Sequence, residues 1–285
     1  MAAQLAYPGT DQYSMAEFMT IILARQAGGE GEATGGGGAN QAVALAANRL
    51  AQITVRPDLW LFTGGAGVYN GKFDTLPIGT WDPRCGHGAE CKIYIADVVD
   101  GGTRGGRSGQ GTGRMKAAGS GGFGGIQVDK FGNLNMIGIG GPHPKLKVRG
   151  PGTVGTIWMG SAPSNVYVEH HSKRVFVEKC DYISGPGWLE GGDSRHKLLN
   201  GRDGPEYIWT PICVFDFTEV EHQARIASVH PGYTVADVIA NTGFAPVVEG
   251  AVPTTTPPTL WELEALRTKV DRNGVLKKRR MTVGI

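Results

Sequence analysis

The sequence predicts an α/β fold, from three observations. Short apolar runs bounded by glycine and proline are interspersed with longer helical stretches, which favours α/β over an all-β sandwich. Two early segments read as helices, the second with mainly small apolar residues at helical spacing. Near the C-terminus, two hydroxyl-x-x-acid patterns mark helix starts.

In chain order, MAEFMTIILARQ (15–26) and ANQAVALAANRLAQI (39–53) read as helices. In the second, Val43, Ala46, Ala47, Leu50 and Ile53 form one stripe of mainly small residues suited to lying close on a sheet. ATGGGG (33–38) precedes it and reads as a glycine loop feeding a helix N-terminus. Strand-like runs follow at 59–62, 92–97, 126–128, 134–139, 153–159, 166–169, 174–178 and 207–217. TVAD (234–237) and TLWE (259–262) fit the capping box and start two more helices, with PTTTPP (253–258) as a stiff connection between them.

The bulk properties narrow the function. A chain of 285 residues is read here as one domain, and its 46 glycines are roughly twice the usual ~7% share, implying many tight turns. A net charge of +2 is too balanced for nucleic acid, and the basic tail within 271–285 (Lys277, Lys278, Arg279, Arg280) reads as a solvated end. Neither a signal-peptide layout nor an apolar run near ~20 residues is seen, so a soluble cytoplasmic protein without a membrane partner is expected. Cys85, Cys91, Cys180 and Cys213 do not make a disulfide framework and are expected to be reduced.

Several segments could carry chemistry. The glycines Gly35, Gly36, Gly37 and Gly38 ahead of a helix suit a phosphate, a pyrophosphate or an oxyanion, or else form a plain connecting loop. DGGTRGGRSGQGTGRMKAAGSGGFGG (100–125) is either a basic lid over an anionic ligand or a surface loop. CGHGAEC (85–91) has potential metal ligands, but without a second ligand pair it reads as a glycine turn, and no metal is expected. His170 and His171 read as structural or hydrogen-bonded histidines. No GxSxG elbow or P-loop is present. GGIQVDKFGNLN (124–135) is the more specific element, a double glycine, a strand, a tight Gly132-Asn133 turn and a second strand. Consecutive N–H groups at Gly124 and Gly125 have the geometry an oxyanion hole needs.

At GGIQVDKFGNLN the sequence resembles the β subunits of family I coenzyme A transferases. The likeness continues through KRVFVEKCDYISGPGW (173–188), where SGPGW is similar to a stretch of glutaconate CoA-transferase, and through VFDF (214–217), SVHPGYTVADV (228–238) and NTGF (241–244). His171 also falls on a family histidine. The resemblance covers most of 15–270 and implies an open, mostly parallel sheet with flanking helices, an α-type partner subunit in an α2β2 assembly, and an acyl-CoA substrate with no other cofactor. It also implies that the 33–38 loop, Gln127 and Asn135 bind CoA or substrate. In the transferases a glutamate at the end of the strand matching PDLWLF forms an anhydride and then a glutamyl-CoA thioester, nucleophilic catalysis that needs the carboxylate. Here Thr63 and Gly64 stand at that place. Two relatives have also lost the glutamate, a ring-cleaving hydrolase of steroid degradation and a methylglutaconyl-CoA decarboxylase. The expectation is a β-type subunit for hydrolytic carbon–carbon cleavage of a cyclic keto-acyl-CoA in cholesterol breakdown, with a decarboxylase, a transferase subunit or a CoA-binding scaffold as the alternatives.

Overall fold

The computed structural model describes residues 9–26, 34–36, 42–57, 60–63, 68–69, 73–77, 82–86, 91–92, 124–153, 155–160, 165–201 and 203–284. The helices are α1 (Met15–Gln26), α2 (Ala42–Thr54), α3 (Ser194–Leu198), α4 (Val235–Asn241), α5 (Leu260–Lys269) and α6 (Val275–Lys278). The strands are β1 (Thr34–Gly36), β2 (Trp60–Thr63), β3 (Val68–Tyr69), β4 (Cys91–Lys92), β5 (Gln127–Asp129), β6 (Leu134–Asn135), β7 (Gly138–Ile139), β8 (Val148–Arg149), β9 (Val166–Tyr167), β10 (His170–His171), β11 (Phe176–Val177), β12 (Ile208–Trp209), β13 (Cys213–Phe217), β14 (Ala224–Val229) and β15 (Thr282–Val283). By its internal contacts the chain divides into two compact units: Met1–Gly122 with Thr256–Met281, and Phe123–Thr255 with Thr282–Ile285.

In the first unit, β1 to β4 form one sheet in sequence order. The segment 34–36, expected as part of a loop, is the strand β1, parallel to β2. Helix α1 starts with a capping box in which Ser14 N–H donates to Glu17 Oε2 (2.8 Å) and Glu17 N–H to Ser14 Oγ (3.2 Å). Ala16 to Ala24 are all buried. The buried Glu17 is paired with Arg267 of α5 (2.7 Å), and Arg25 forks onto Glu262 at 2.7 and 2.6 Å. Glu262 also closes the expected Thr259 capping box, so one carboxylate both starts α5 and ties it to α1.

The second unit contains the sheet β14-β13-β12-β9, the sheet β11-β5-β6 and the pairs β7-β8 and β10-β15. Its core includes Val128, Leu134, Val166, Phe176, Ile208, Phe215, Ile226 and Val238. The expected box of Thr234 and Asp237 caps α4. The α/β class is as the sequence predicts, but the described sheets are mixed rather than mostly parallel. Strands β1/β2, β5/β11, β9/β12 and β10/β15 are parallel, and the other described pairs antiparallel.

Further expectations change. The run 153–159 is not a strand, because Thr156–Gly160 is a 3-10 turn in which Thr156 N–H and Oγ1 both donate to the Thr153 carbonyl (3.0 and 2.6 Å). The run 134–139 breaks into β6 and β7, which pair with different strands. The basic tail is exposed at Lys277 and Lys278 but does not trail into solvent. Asp271 accepts from Val275 and Leu276 N–H (2.8 Å each) to start α6, Leu276 is buried, and β15 lies parallel to β10.

Candidate functional site

The double glycine enters β5 under tight steric limits. A Cβ on Gly125 would come within 2.6 Å of the Gln127 carbonyl and 3.2 Å of the Asn135 carbonyl, and one on Gly124 within 3.2 Å of the Tyr167 carbonyl. Any side chain at Gly125 would push the turn off the neighbouring backbone. Ile126 N–H donates to the Asn135 carbonyl (2.8 Å), whereas among the described residues no carbonyl accepts from the N–H of Gly124 or Gly125. Two adjacent backbone N–H groups stand at this half-buried strand start.

Gln127 and Asn135 support this turn from facing positions on β5 and β6. The Asn135 amide is fully buried and all four of its hydrogen-bonding capacities are met. Nδ2 donates to Gln127 Oε1 (2.6 Å) and the Gly138 carbonyl (2.8 Å), and Oδ1 accepts from Ile137 N–H (2.9 Å) and Gly138 N–H (3.2 Å). These bonds explain why β6 ends at Asn135 and the chain turns into β7. Gln127 Oε1 also accepts from Asp181 N–H (3.1 Å), and its Nε2 donates to Asp181 Oδ2 (2.7 Å). Asp181 lies 54 residues away in sequence and was missed, since nothing local marks it.

A second buried polar cluster fixes the Gly132-Asn133 turn. Asp129 Oδ1 accepts from Phe131 N–H (3.0 Å), Asn133 N–H (3.1 Å) and Asn133 Nδ2 (3.0 Å), although burial raises its carboxyl pKa. Asn133 Oδ1 accepts from Gly187 and Leu189 N–H, at 2.9 and 3.1 Å. This binds the SGPGW stretch to the hairpin, and Gly187 packs so closely on Gly132 that a Cβ there would strike its backbone. The guanidinium of the buried Arg195 donates to the carbonyls of Pro186 (2.6 Å), Gly187 (2.7 Å) and Met159 (2.5 Å). SGPGW is thus a packing loop beneath the hairpin.

His171 is buried and stacked on Phe176 with centroids 4.2 Å apart. Its Nε2 bonds Thr242 Oγ1 (3.0 Å), which donates to the Val238 carbonyl (2.7 Å), so Nε2 carries the proton. Burial, with the charge of His230 second, lowers its pKa to about 3. Burial lowers His230 to about 4 against the raising effect of its bond to the Thr210 carbonyl. Both are neutral imidazoles at neutral pH, as structural histidines are expected to be. Cys180 and Cys213 are free and buried, and burial pushes both thiols far above their ordinary pKa.

Of the other sequence-derived site residues, Thr63 ends β2, while Gly35 and Gly36 pair with Leu61 and Phe62 on the same sheet of the first unit. Gly64, Gly37, Gly38, His87, Glu90 and nearly all of 100–125 lie outside the described residues. Gly124, Gly125, Gln127 and Asn135 come together in the second unit. Among the described residues no helix is long and apolar enough to cross a membrane, and no group of three metal-ligating side chains converges.

Comparison with known proteins gives consistent matches. A family model described as coenzyme A transferase matches residues 118–241. The chain is 33% identical over 256 residues to the β-type subunit of the 3-oxoadipate CoA-transferase of Pseudomonas knackmussii, covering 90% of this chain and 92% of that protein. It is 28% identical over 267 residues to the cholesterol ring-cleaving hydrolase IpdB subunit of Rhodococcus jostii, covering 91% and 93%. The crystal structure of glutaconate coenzyme A-transferase from Acidaminococcus fermentans superposes with a TM-score of 0.79 at 24% identity over 94% of this chain and 98% of that one, a likeness of fold.

Proposed function

Since this chain belongs to the coenzyme A transferase family, with relatives that are β-type subunits, we propose that it is the β-type subunit of a cytoplasmic α2β2 enzyme acting on an acyl-CoA thioester. The reaction we assign is hydrolytic carbon–carbon cleavage of a cyclic keto-acyl-CoA, as in cholesterol breakdown. No cofactor is needed beyond the CoA of the substrate. The observation that carries this reading is the end of β2: Thr63-Gly64-Gly65-Ala66-Gly67 holds no carboxylate where the family's transfer chemistry needs one. The likeness to a ring-cleaving subunit over nine-tenths of both chains supports it.

In this reaction a carboxylate of the α partner takes a proton from water, and the hydroxide adds to a ring ketone that is β to a second carbonyl. The ring bond then breaks with its electron pair passing to the second carbonyl as an enolate, which is protonated on carbon, while the attacked ketone becomes a carboxylic acid. The N–H groups of Gly124 and Gly125 hold one of the developing oxyanions, and losing one such donor typically costs ~3 kcal/mol. The 33–38 segment, which includes β1, and the basic 100–125 segment hold or cover the CoA thioester.

Turnover of the purified α–β complex in oxygen-18 water tests the reading. One labelled oxygen in the new carboxylate, with no CoA passed to acetate, is the expected result. Efficient transfer to acetate through a hydroxylamine-sensitive enzyme intermediate would refute it and restore the transferase reading, which the 33% identity to a transferase subunit favours. Release of carbon dioxide without incorporation of label would make the enzyme a decarboxylase.

A further inference from the structure

We infer that Gln127, Asn135 and Asp181 are positioning residues that hold the double-glycine turn in register, and that the Asp181 carboxylate sets the polarity of the whole network. The inference rests on the reading of Gly124 and Gly125 as oxyanion donors. It assigns the two amides a role other than direct contact with substrate, because the hydrogen bonds within the chain use all of Asn135 and leave one N–H of Gln127.

A carboxylate can only accept. Asp181 Oδ2 therefore requires the Gln127 amide to present Nε2 to it and Oε1 to Asn135 Nδ2 and Asp181 N–H. That choice requires Asn135 to present Nδ2 to Gln127 and Oδ1 to the N–H groups of Ile137 and Gly138. With its side chain locked by four bonds, the Asn135 backbone cannot shift, and it is this backbone that accepts from Ile126 N–H and against which Gly125 packs. Asp181 itself is exposed, so a solvent-facing carboxylate orders two buried neutral amides. Among the described residues, the other titratable groups beside the network are Asp129, next on the same face of β5 and held by Asn133, and Cys180, whose thiol donates to the Asn133 carbonyl. Neither bonds to Gln127.

The test compares Gln127→Glu, Asp181→Asn and the double variant in the complex with the α-type subunit, using any acyl-CoA reaction the complex performs. In Gln127→Glu two carboxylates face each other, share a proton at low pH, and separate as it is lost. The expected kcat is near wild type at about pH 6 and falls about ten- to a hundredfold by about pH 8, with KM for the acyl-CoA within about threefold. The double variant reverses donor and acceptor but keeps every bond, so its kcat returns to within about threefold of wild type without the added pH dependence. Melting curves of the same samples separate this from a structural role, which would lower thermal stability with kcat of the folded complex unchanged. A wild-type kcat profile for Gln127→Glu, or a folded double variant no better than the single, would overturn the inference. If Gln127→Glu does not assemble, the activity of the double variant decides alone. Rescue combined with failure of the water-label experiment would retain the network and discard ring cleavage.

Discussion

The hairpin of the second unit and helix α2 of the first each bury an asparagine completely, and treat it in opposite ways. Asn135 has four partners, two of them backbone N–H groups at a point where one strand stops and the next begins. Asn48, inside helix α2, has none for either side-chain atom among the described residues. His171 is an intermediate case, with Nε2 bonded to Thr242 and Nδ1 without a partner among the described residues. An amide out of water stabilises a structure only in proportion to the bonds it regains. The first asparagine therefore organises an irregular backbone, and the second is a local cost carried by the apolar packing around it.

The largest expected effect is at Asn135. Asn135→Leu keeps the number and branching of the heavy atoms but leaves Gly138 N–H, Gly138 C=O, Ile137 N–H and one side of Gln127 Oε1 unpaired, which is expected to cost about 4 kcal/mol or more. Urea denaturation with a stability loss under about 1 kcal/mol would show that water replaces these bonds freely, and the contrast with Asn48 would collapse.

An intermediate effect is expected from the histidines. Their folded pKa values, about 3 for His171 and about 4 for His230, lie below the unfolded value near 6.5, so the unfolded chain binds more protons in the interval between. Stability is then fully present above pH 6.5 and is lost as pH falls toward the folded values. Between pH 6.5 and 5.5 the two groups together should remove about 2 kcal/mol. His171→Phe, which suits the stack on Phe176, should roughly halve that slope; an unchanged slope would mean that other groups control the acid limb.

This ranking also explains what could be read from the sequence. The capping boxes at Thr234 and Thr259 were legible because both partners lie within one turn. The same local pattern at Ser14 and Glu17 caps α1. The run 153–159 has β-branched residues of strand type, yet the guanidinium of Arg195, far along the chain, takes the Met159 carbonyl and Thr156 closes a turn on Thr153. At the site, the double glycine and the Gly-Asn turn are local and were found. Asp181 was not, because its role comes from a hydrogen bond across 54 residues that no spacing rule encodes. Asn135 was identified for binding, and only the count of its bonds reveals that it is used within the fold.

The smallest effect has the opposite sign. Asn48 lies on α2 with Ala44, Leu45, Ala51 and Gln52 as its helical neighbours, three of the four buried and apolar. Asn48→Leu removes an unpaired buried amide, adds a better helix former of similar size, and should raise stability by about 1 kcal/mol. Asn48→Asp sharpens the point, since an unpaired charge there should prevent folding at neutral pH and become tolerable only as the carboxyl protonates in acid. A leucine variant less stable than wild type by more than about 1 kcal/mol in thermal melts would mean either that the pocket rejects branching or that the Asn48 amide is paired. The unbranched Asn48→Met separates these: stabilisation by methionine assigns the loss to shape, whereas destabilisation by both shows that the amide has a partner and that the two asparagines are used alike.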